Sequence, residues 1–478
     1  MTMRSPYISG MTSSSDSHSS TRCQCARTVD IIHARDLVSA LRPGLTAADR
    51  LDPYWDRLWS DGSSLAWRSH ESATAQVLAG FGGLPAAHRI SEAEAWARLE
   101  SSKSRNDLLR FLAVLQSFRT VTGEQIEALS GARGAANIMS SLVTALFRVG
   151  IIELGSAASG LMREATSKRA TLYRPTNSQA VERIIERLTY AEWVSLTGGW
   201  EWDKGGQFDR HNVLATELGL RLAEYCDVAT VLGEKFSTVD LLAGSGIGWK
   251  PLTGDTKSAD LTVIRPDALK VAVELTATLG ASFEKKVDRW ARILNDRPMN
   301  ESGLAVVFVI APPHGSSARK VLTTTYKAIA AVSRRFPGTV RESIATRIGV
   351  VSWTDWFPAR HSISTDFFTM TVNMPAGMAD GHMVWTRTNL LDAAAYPFTP
   401  ASPALTAILD NMHMLWGTPH WLRDFHKAPS LIPLVLGHPI DQIPHTTRKP
   451  EKPDAPKLGA AKGAAGATQF PKRMLPYM

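Results

Sequence analysis

With 478 residues, 44% of them hydrophobic and 21% charged, the chain has an ordinary globular composition and enough length for two or three domains. No apolar run approaches the roughly 18 residues of a membrane-spanning helix, the first residues lack a signal-like apolar stretch, and three cysteines exclude a disulfide framework, so a cytoplasmic protein without membrane contact is expected. The formal net charge of +8 is unevenly placed: the tail 447–478 and the head 1–28 hold most of it, and residues 103–175 carry ten Lys/Arg against five acids.

Residues 1–28 are Ser/Thr-rich without periodicity and are expected to be disordered, with Cys23 and Cys25 as bystander thiols. Residues 29–100 read as a helical N-terminal region, with Ile31, Ile32, Leu37, Val38 and Leu41 before Pro43 and a further helix near 91–99. Trp55, Trp59 and Trp67 suit either base stacking or, as the commoner case, packing of a helical cap.

Residues 101–176 read as a winged helix-turn-helix. Leu108, Leu109, Leu112 and Leu115 mark one face of a first helix, and Thr122 with Gln125 is a capping-box signature for a second. The stretch Gly131–Gly134 makes the turn, and Ile138, Leu142, Leu146 and Val149 pace a third helix ended by Gly150. Two short strands follow, around 151–154 and 170–174. Such a module places its third helix in the major groove and its wing on the backbone, so Arg133, Asn137, Ser140, Ser141, Thr144, Lys168 and Arg169 are the expected DNA-binding residues. A winged helix used only for protein contacts is the rival.

From 177 to 355 the pattern becomes α/β. A linking helix covers 181–188, and a second helix beginning near 208 carries Leu214, Leu218, Leu222 and Tyr225 on its apolar side, with His211 at its entry and Glu217 projecting from it. Asp260 opens a short strand, a turn at Arg265-Pro266-Asp267 follows, and a second strand, KVAVELT, carries Glu274. On neighbouring strands these two carboxylates can approach one divalent cation, and hard cations such as Mg²⁺ take oxygen ligands that they share with phosphate. The next helix is amphipathic, with Phe283, Val287, Trp290, Ala291 and Leu294 on one face and Glu284, Lys285, Lys286, Asp288 and Arg292 on the other. The run LAVVFVIA at 304–311 and the segment 348–353 read as strands covered on both faces, with a helix between them at 317–335.

Residues 356–446 read as a C-terminal extension with an edge strand near 366–373 and a helix near 403–415; His413, His420 and His426 are expected to be ordinary buried or surface histidines. The Pro/Ala/Gly/Lys tail 447–478 is expected to be a disordered basic segment able to hold phosphate non-specifically.

This layout resembles the replication-relaxation family of mobile elements, in which a winged helix is joined to a restriction-endonuclease-like domain of the PD-(D/E)XK class. The resemblance covers roughly 104–353 and rests on the winged helix, on HNVLATE at 211–217, on SAD at 258–260 and on VELT at 273–276 with the helix after it. It implies a multi-domain α/β fold whose mixed sheet follows the helical cap and winged helix-turn-helix. The implied function is DNA binding in replication, relaxation or transfer of a plasmid or integrated element, near the nucleoid, with other proteins of such a complex or a second copy of the chain as partners. Asp260 matches the metal-binding aspartate, Glu274 the second acid and Glu217 the helix acid, with Mg²⁺ the implied cofactor. Ala259 stands where the motif has proline. Thr276 stands where it has the catalytic lysine, which in active nucleases helps to stabilise charge developing on phosphate. Lys285 and Lys286, at the start of the next helix, are the residues able to replace it. The alternatives are an endonuclease, a non-catalytic winged-helix regulator or replication accessory factor with a degenerate nuclease fold, and a protein-assembly factor.

Overall fold

The protein is described by a computed structural model covering residues 29–423, apart from 38–44, 57, 60–63, 158–170, 177, 199–201, 203, 206–207, 238–257, 281, 314–317, 339–342 and 413. The head, the basic tail, Lys168 and Arg169, the cysteines at 23 and 25, and His413 and His426 therefore lie outside the described residues. The chain is a mixed α/β protein, and no helix among the described residues is long and apolar enough to cross a membrane.

The N-terminal part is helical only in its second half, where the helix expected near 91–99 is present at Glu92–Glu100; its start is not the helix expected. Ile31–His33 is a short strand, β1, because its partner lies more than 300 residues away at Ser362–Ser364. Residues 45–59 run over the second half of the chain: Trp55 Nε1 donates to the Phe357 carbonyl at 3.1 Å and Trp59 Nε1 to the Ala311 carbonyl at 2.7 Å. Both tryptophans are thus engaged in packing. Leu65–Arg68 forms β2; α1 (His70–Leu78) and α2 (Glu92–Glu100) follow, each N-capped by a serine hydroxyl, Ser69 and Ser91.

Helix α3 (Ser102–Phe118) leads to β3 (Val121–Thr122) and α4 (Gly123–Ser130), where Thr122 and Gln125 form the reciprocal capping box. The helix ends at Gly131, whose φ of 68° a side chain would strain. Helix α5 (Ser141–Arg148) starts three residues later than its apolar spacing suggests, because Ser140 takes the cap and accepts from the Val143 amide. Strands β4 (Ile152–Ala157) and β5 (Leu172–Pro175) pair antiparallel, and the four-stranded sheet has the order β2-β4-β5-β3. The extra strand, β2, comes from the segment read as a cap.

After α6 (Gln179–Ile185) and α7 (Tyr190–Thr197) comes α8 (Asp209–Tyr225), buried along most of its length. Strands β6 (Thr230–Gly233), β7 (Leu261–Ile264) and β8 (Lys270–Thr276) then form an antiparallel meander. Helix α9 (Phe283–Asp296) carries the chain to β9 (Leu304–Ile310), parallel to β8; α10 (Ala318–Arg335) carries it on to β10 (Ile348–Ser352), parallel to β9. The side chains of β8 alternate: Val271, Val273 and Leu275 join the core under α8, while Ala272 faces the core built with Val287 and Trp290 of α9. Cover on both faces is why β8, β9 and β10 are buried throughout.

The sheet does not stop near residue 355. After β11 (Ser362–Ser364), the strands β12 (Thr371–Ala379) and β13 (His382–Asn389) add to its β10 side, giving the seven-stranded order β13-β12-β10-β9-β8-β7-β6. The segment expected as a single edge strand begins instead with a helical turn at Thr365–Phe368, and the true edge is a hairpin. Helix α11 (Pro403–Met412) then returns the chain to the first half, where the Trp416 amide donates to the Ser195 carbonyl.

Candidate functional site

The antiparallel register of β7 and β8 sets Leu261 opposite Val273, so Asp260, one residue earlier, stands across from Glu274. Directly opposed residues on one face are neighbours, and two carboxylates so placed repel unless cations intervene. The cations come from two helices. His211, in the first turn of α8, sets Nε2 2.9 Å from Asp260 Oδ1. Lys286, in the first turn of α9, donates to Glu274 Oε2 at 2.6 Å. Trp290, one turn on, donates its indole N–H to Glu274 Oε1 at 2.6 Å, and Arg289 reaches the same oxygen at 3.4 Å. Positions 286, 289 and 290 share a helix face, and helical side chains lean toward the N-terminus, which brings them back over β8. The Leu275 amide donates to Asp260 Oδ2 at 2.6 Å.

Burial raises the carboxyl of Glu274, and the charge of Asp260 adds to it, against the pull of Lys286. Burial would raise Asp260 as well, but His211 and Lys286 outweigh it and hold that carboxyl below the ordinary 3.8. For His211, burial disfavours the imidazolium, yet the Asp260 carboxylate outweighs burial and lifts the imidazole above 6.5. The lowered Asp260 contributes stability above 3.8 that is lost as pH falls through its folded value. The raised His211 contributes stability below 6.5 that is lost as pH rises through its own. His211→Gln should therefore lower Tm most between those two values, and the difference from wild type should shrink as pH rises past 6.5. A pH-independent difference in thermal melts would show that the imidazole is neutral in the fold.

Glu217, expected as a third acid, is elsewhere. It is fully buried and paired with Arg50, 3.1 Å from Nη2, with Arg221, 3.0 Å from Nε, and with the Gln125 amide at 3.3 Å. Arg50 also pairs with Glu224, and Arg221 with Asp52, so alternating charges bolt residues 50–56 to α8. The position fails as a ligand because it lies six residues beyond His211, more than one and a half turns along the helix and turned into the core. The further acid that feels the charge of Asp260 is instead Glu234, in the single turn after β6. It is raised by burial, pulled down by Arg119 at 3.5 Å, and raised again by the charge of Asp260. The turn is tied to the site through the Ala259 amide on the Ser237 carbonyl. Lys285 is exposed and, among the described residues, touches neither acid.

Sequence reasoning placed His211 at a helix entry and Trp290 in an apolar face, and both turn out to hold the carboxylates. A helix-initiating histidine ahead of an acidic hairpin was the available signal. Thr276, at the lysine position of the motif, is buried and its carbonyl accepts from the Ala311 amide. Two carboxylates are what a hard divalent cation takes alongside water and phosphate, but here each of their four oxygens is already met by a protein N–H or cation. Among the described residues no three His, Cys, Asp or Glu side chains form a metal-holding group, so a cage made of protein ligands alone is not what the pair belongs to.

Comparison of the chain with protein families, curated proteins and solved structures finds no match.

On the other module, Arg133, Asn137 and Ser141 are exposed, and Asn137 Oδ1 accepts from the Met139 amide. Ser140 is spent as the cap of α5. Thr144 is not available as expected: its hydroxyl donates to the Ser140 carbonyl and accepts from Arg98 of α2, with Arg148 of α5 bonded to the Ile90 carbonyl. Helix α2 covers that side of α5, an outcome the spacing of α5 does not carry. The accessible polar surface is its first turn and the loop before it.

Proposed function

We propose that the chain is a DNA-binding protein built from a winged helix and a nuclease-type core, acting in the replication, relaxation or transfer of a plasmid or other mobile element. The observation that carries the core's part is the Lys286–Glu274 contact beside Asp260: a helix lysine takes the role the strand surrendered at Thr276. Three further features support it. The order α8-β6-β7-β8-α9-β9 among the described residues is compatible with the PD-(D/E)XK core that the resemblance implies. The order α3-β3-α4-α5-β4-β5 among the described residues is compatible with the winged helix read from the sequence. The net positive charge of 103–175 suits a phosphate backbone.

In this reading Asp260 and Glu274 would hold Mg²⁺, which would supply a lowered pKa for a bound water and neutralise phosphate charge. Lys286 places a positive charge where the phosphate becomes more negative, Trp290 and Arg289 fix the Glu274 carboxylate, and His211 orients Asp260 through Oδ1. The deciding assay is nicking of supercoiled and linear DNA with Mg²⁺ or Mn²⁺. Wild type should nick, and Asp260→Asn should not while still binding DNA. Intact DNA in every form would favour a second reading, a DNA-holding core, which the lysine-free strand at Thr276 supports. Arg133→Ala should weaken binding to all sequences alike and reduce the slope of log affinity against log salt by about one; an unchanged slope would point to protein contacts for the winged helix.

A further inference from the structure

Each carboxylate oxygen of the pair accepts a hydrogen bond or ion pair from the protein itself. His211 and the Leu275 amide take Asp260; Trp290, Arg289 and Lys286 take Glu274. These donors differ in how readily they can leave. The Leu275 amide belongs to a backbone fixed by the β8–β9 ladder, and the Trp290 indole is wholly buried. Lys286 is the most open of them: its side chain is 35% exposed while its partner Glu274 is 1% exposed. A flexible ammonium at the mouth of a buried carboxylate pair is a counter-ion that a passing anion can compete for, because lysine meets phosphate as a point charge without a fixed geometry.

We infer that Lys286 is a two-position residue: it occupies Glu274 in the free protein, transfers to a phosphodiester when DNA docks, and so makes divalent-cation binding conditional on DNA. The inference rests on the proposed reading that this pair faces nucleic acid. When the ammonium leaves, Glu274 Oε2 loses its donor beside Asp260, and two neighbouring carboxylates in a low-dielectric site then attract a cation strongly. In the free protein the same oxygen is satisfied, and a divalent ion has to displace a bonded ammonium to bind. Linkage makes the effect mutual: the cation favours DNA by the same factor as DNA favours the cation.

The test uses the full chain and has no need of cleavage. Free Mn²⁺ is followed by electron paramagnetic resonance in titrations of wild type, Lys286→Met and Lys286→Gln, each alone and with a short phosphorothioate duplex, and duplex binding in EDTA is read separately by fluorescence anisotropy. Wild type alone should bind Mn²⁺ about tenfold or more weakly than wild type with duplex, within the usual range of coupling between sites. Both Lys286 variants should bind it without duplex as tightly as wild type does with it, and Asp260→Asn placed in the Lys286→Met background should abolish that binding. Equal affinity of wild type with and without bound duplex overturns the inference, and so does a folded Lys286 variant that gains no affinity when alone. If the duplex fails to bind in EDTA, the DNA-binding reading fails instead, and the variants without duplex still decide whether Lys286 excludes the ion.

Discussion

Arg50→Met is expected to destabilise the protein by about 3–5 kcal/mol, read as a drop in the free energy of urea unfolding. Arg50 is fully buried between Glu217 and Glu224, and the two acids outweigh the cost of burying it, holding its guanidinium firmly charged. Methionine fills much of the same space but leaves two carboxylates in the core without their shared counter-ion. Burial already raises the carboxyl of Glu224 in the presence of Arg50, so its removal should force that group to take up a proton. The loss should therefore be partly recovered at low pH, and Glu217→Gln in the same background should recover part of it at neutral pH. A change below about 1 kcal/mol would place the network among weak ion pairs and reopen a site role for Glu217. Because this cluster ties residues 46–59 to α8, through the Ala47 amide on Glu224 as well, the variant should also loosen the strap that carries Trp55 and Trp59.

Lys286→Ala and Lys285→Ala should part company in the nicking assay. Neighbours in sequence, the two lysines point to different surroundings: one ammonium sits 2.6 Å from Glu274, the other is exposed. If the Lys286 charge stabilises the phosphoryl group as negative charge builds, its removal should slow nicking by about 10²–10³-fold, the usual effect of deleting one electrostatic donor from a preorganised site. Lys285→Ala should stay within about twofold, since a surface lysine on the outer turn of α9 adds only screened, long-range attraction. Equal, small effects of both would remove the argument that a helix lysine replaces Thr276. Because Lys286→Ala also frees Glu274, its metal affinity and its rate should move in opposite directions, a pattern that misfolding does not produce.

The legible parts of the site were those written in local pattern. Thr122 and Gln125 announce α4 by a three-residue spacing, and the hairpin announces itself by two apolar runs about a proline-containing turn. The apolar face of α9 is the one its 3.6-residue period selects, with Phe283, Val287, Trp290, Ala291 and Leu294 all buried. The residues misplaced by sequence share a different feature: what decides them is a distant partner. Thr144 is polar and helix-spaced whether it faces DNA or Arg98, and Glu217 projects from α8 whether its neighbour is a metal or Arg50, which stands 167 residues away.

By itself, then, the sequence determined α3, α4, α5, the two wing strands, α6, α8 and the elements from β7 to β10, though not β3, α7 or β6, together with the opposition of Asp260 and Glu274 on one hairpin and the absence of a strand lysine at Thr276. Each of these follows from residue identity and from periods of two or 3.6 residues, which operate within a few neighbours. Tertiary structure alone decided which lysine meets Glu274, that His211 rather than Glu217 meets Asp260, that β1 and β2 leave the N-terminal segment to pair elsewhere, and that β12 and β13 extend the sheet. Those outcomes depend on closing long loops and on which buried charge finds a counter-charge, and that balance is struck only when the whole core assembles.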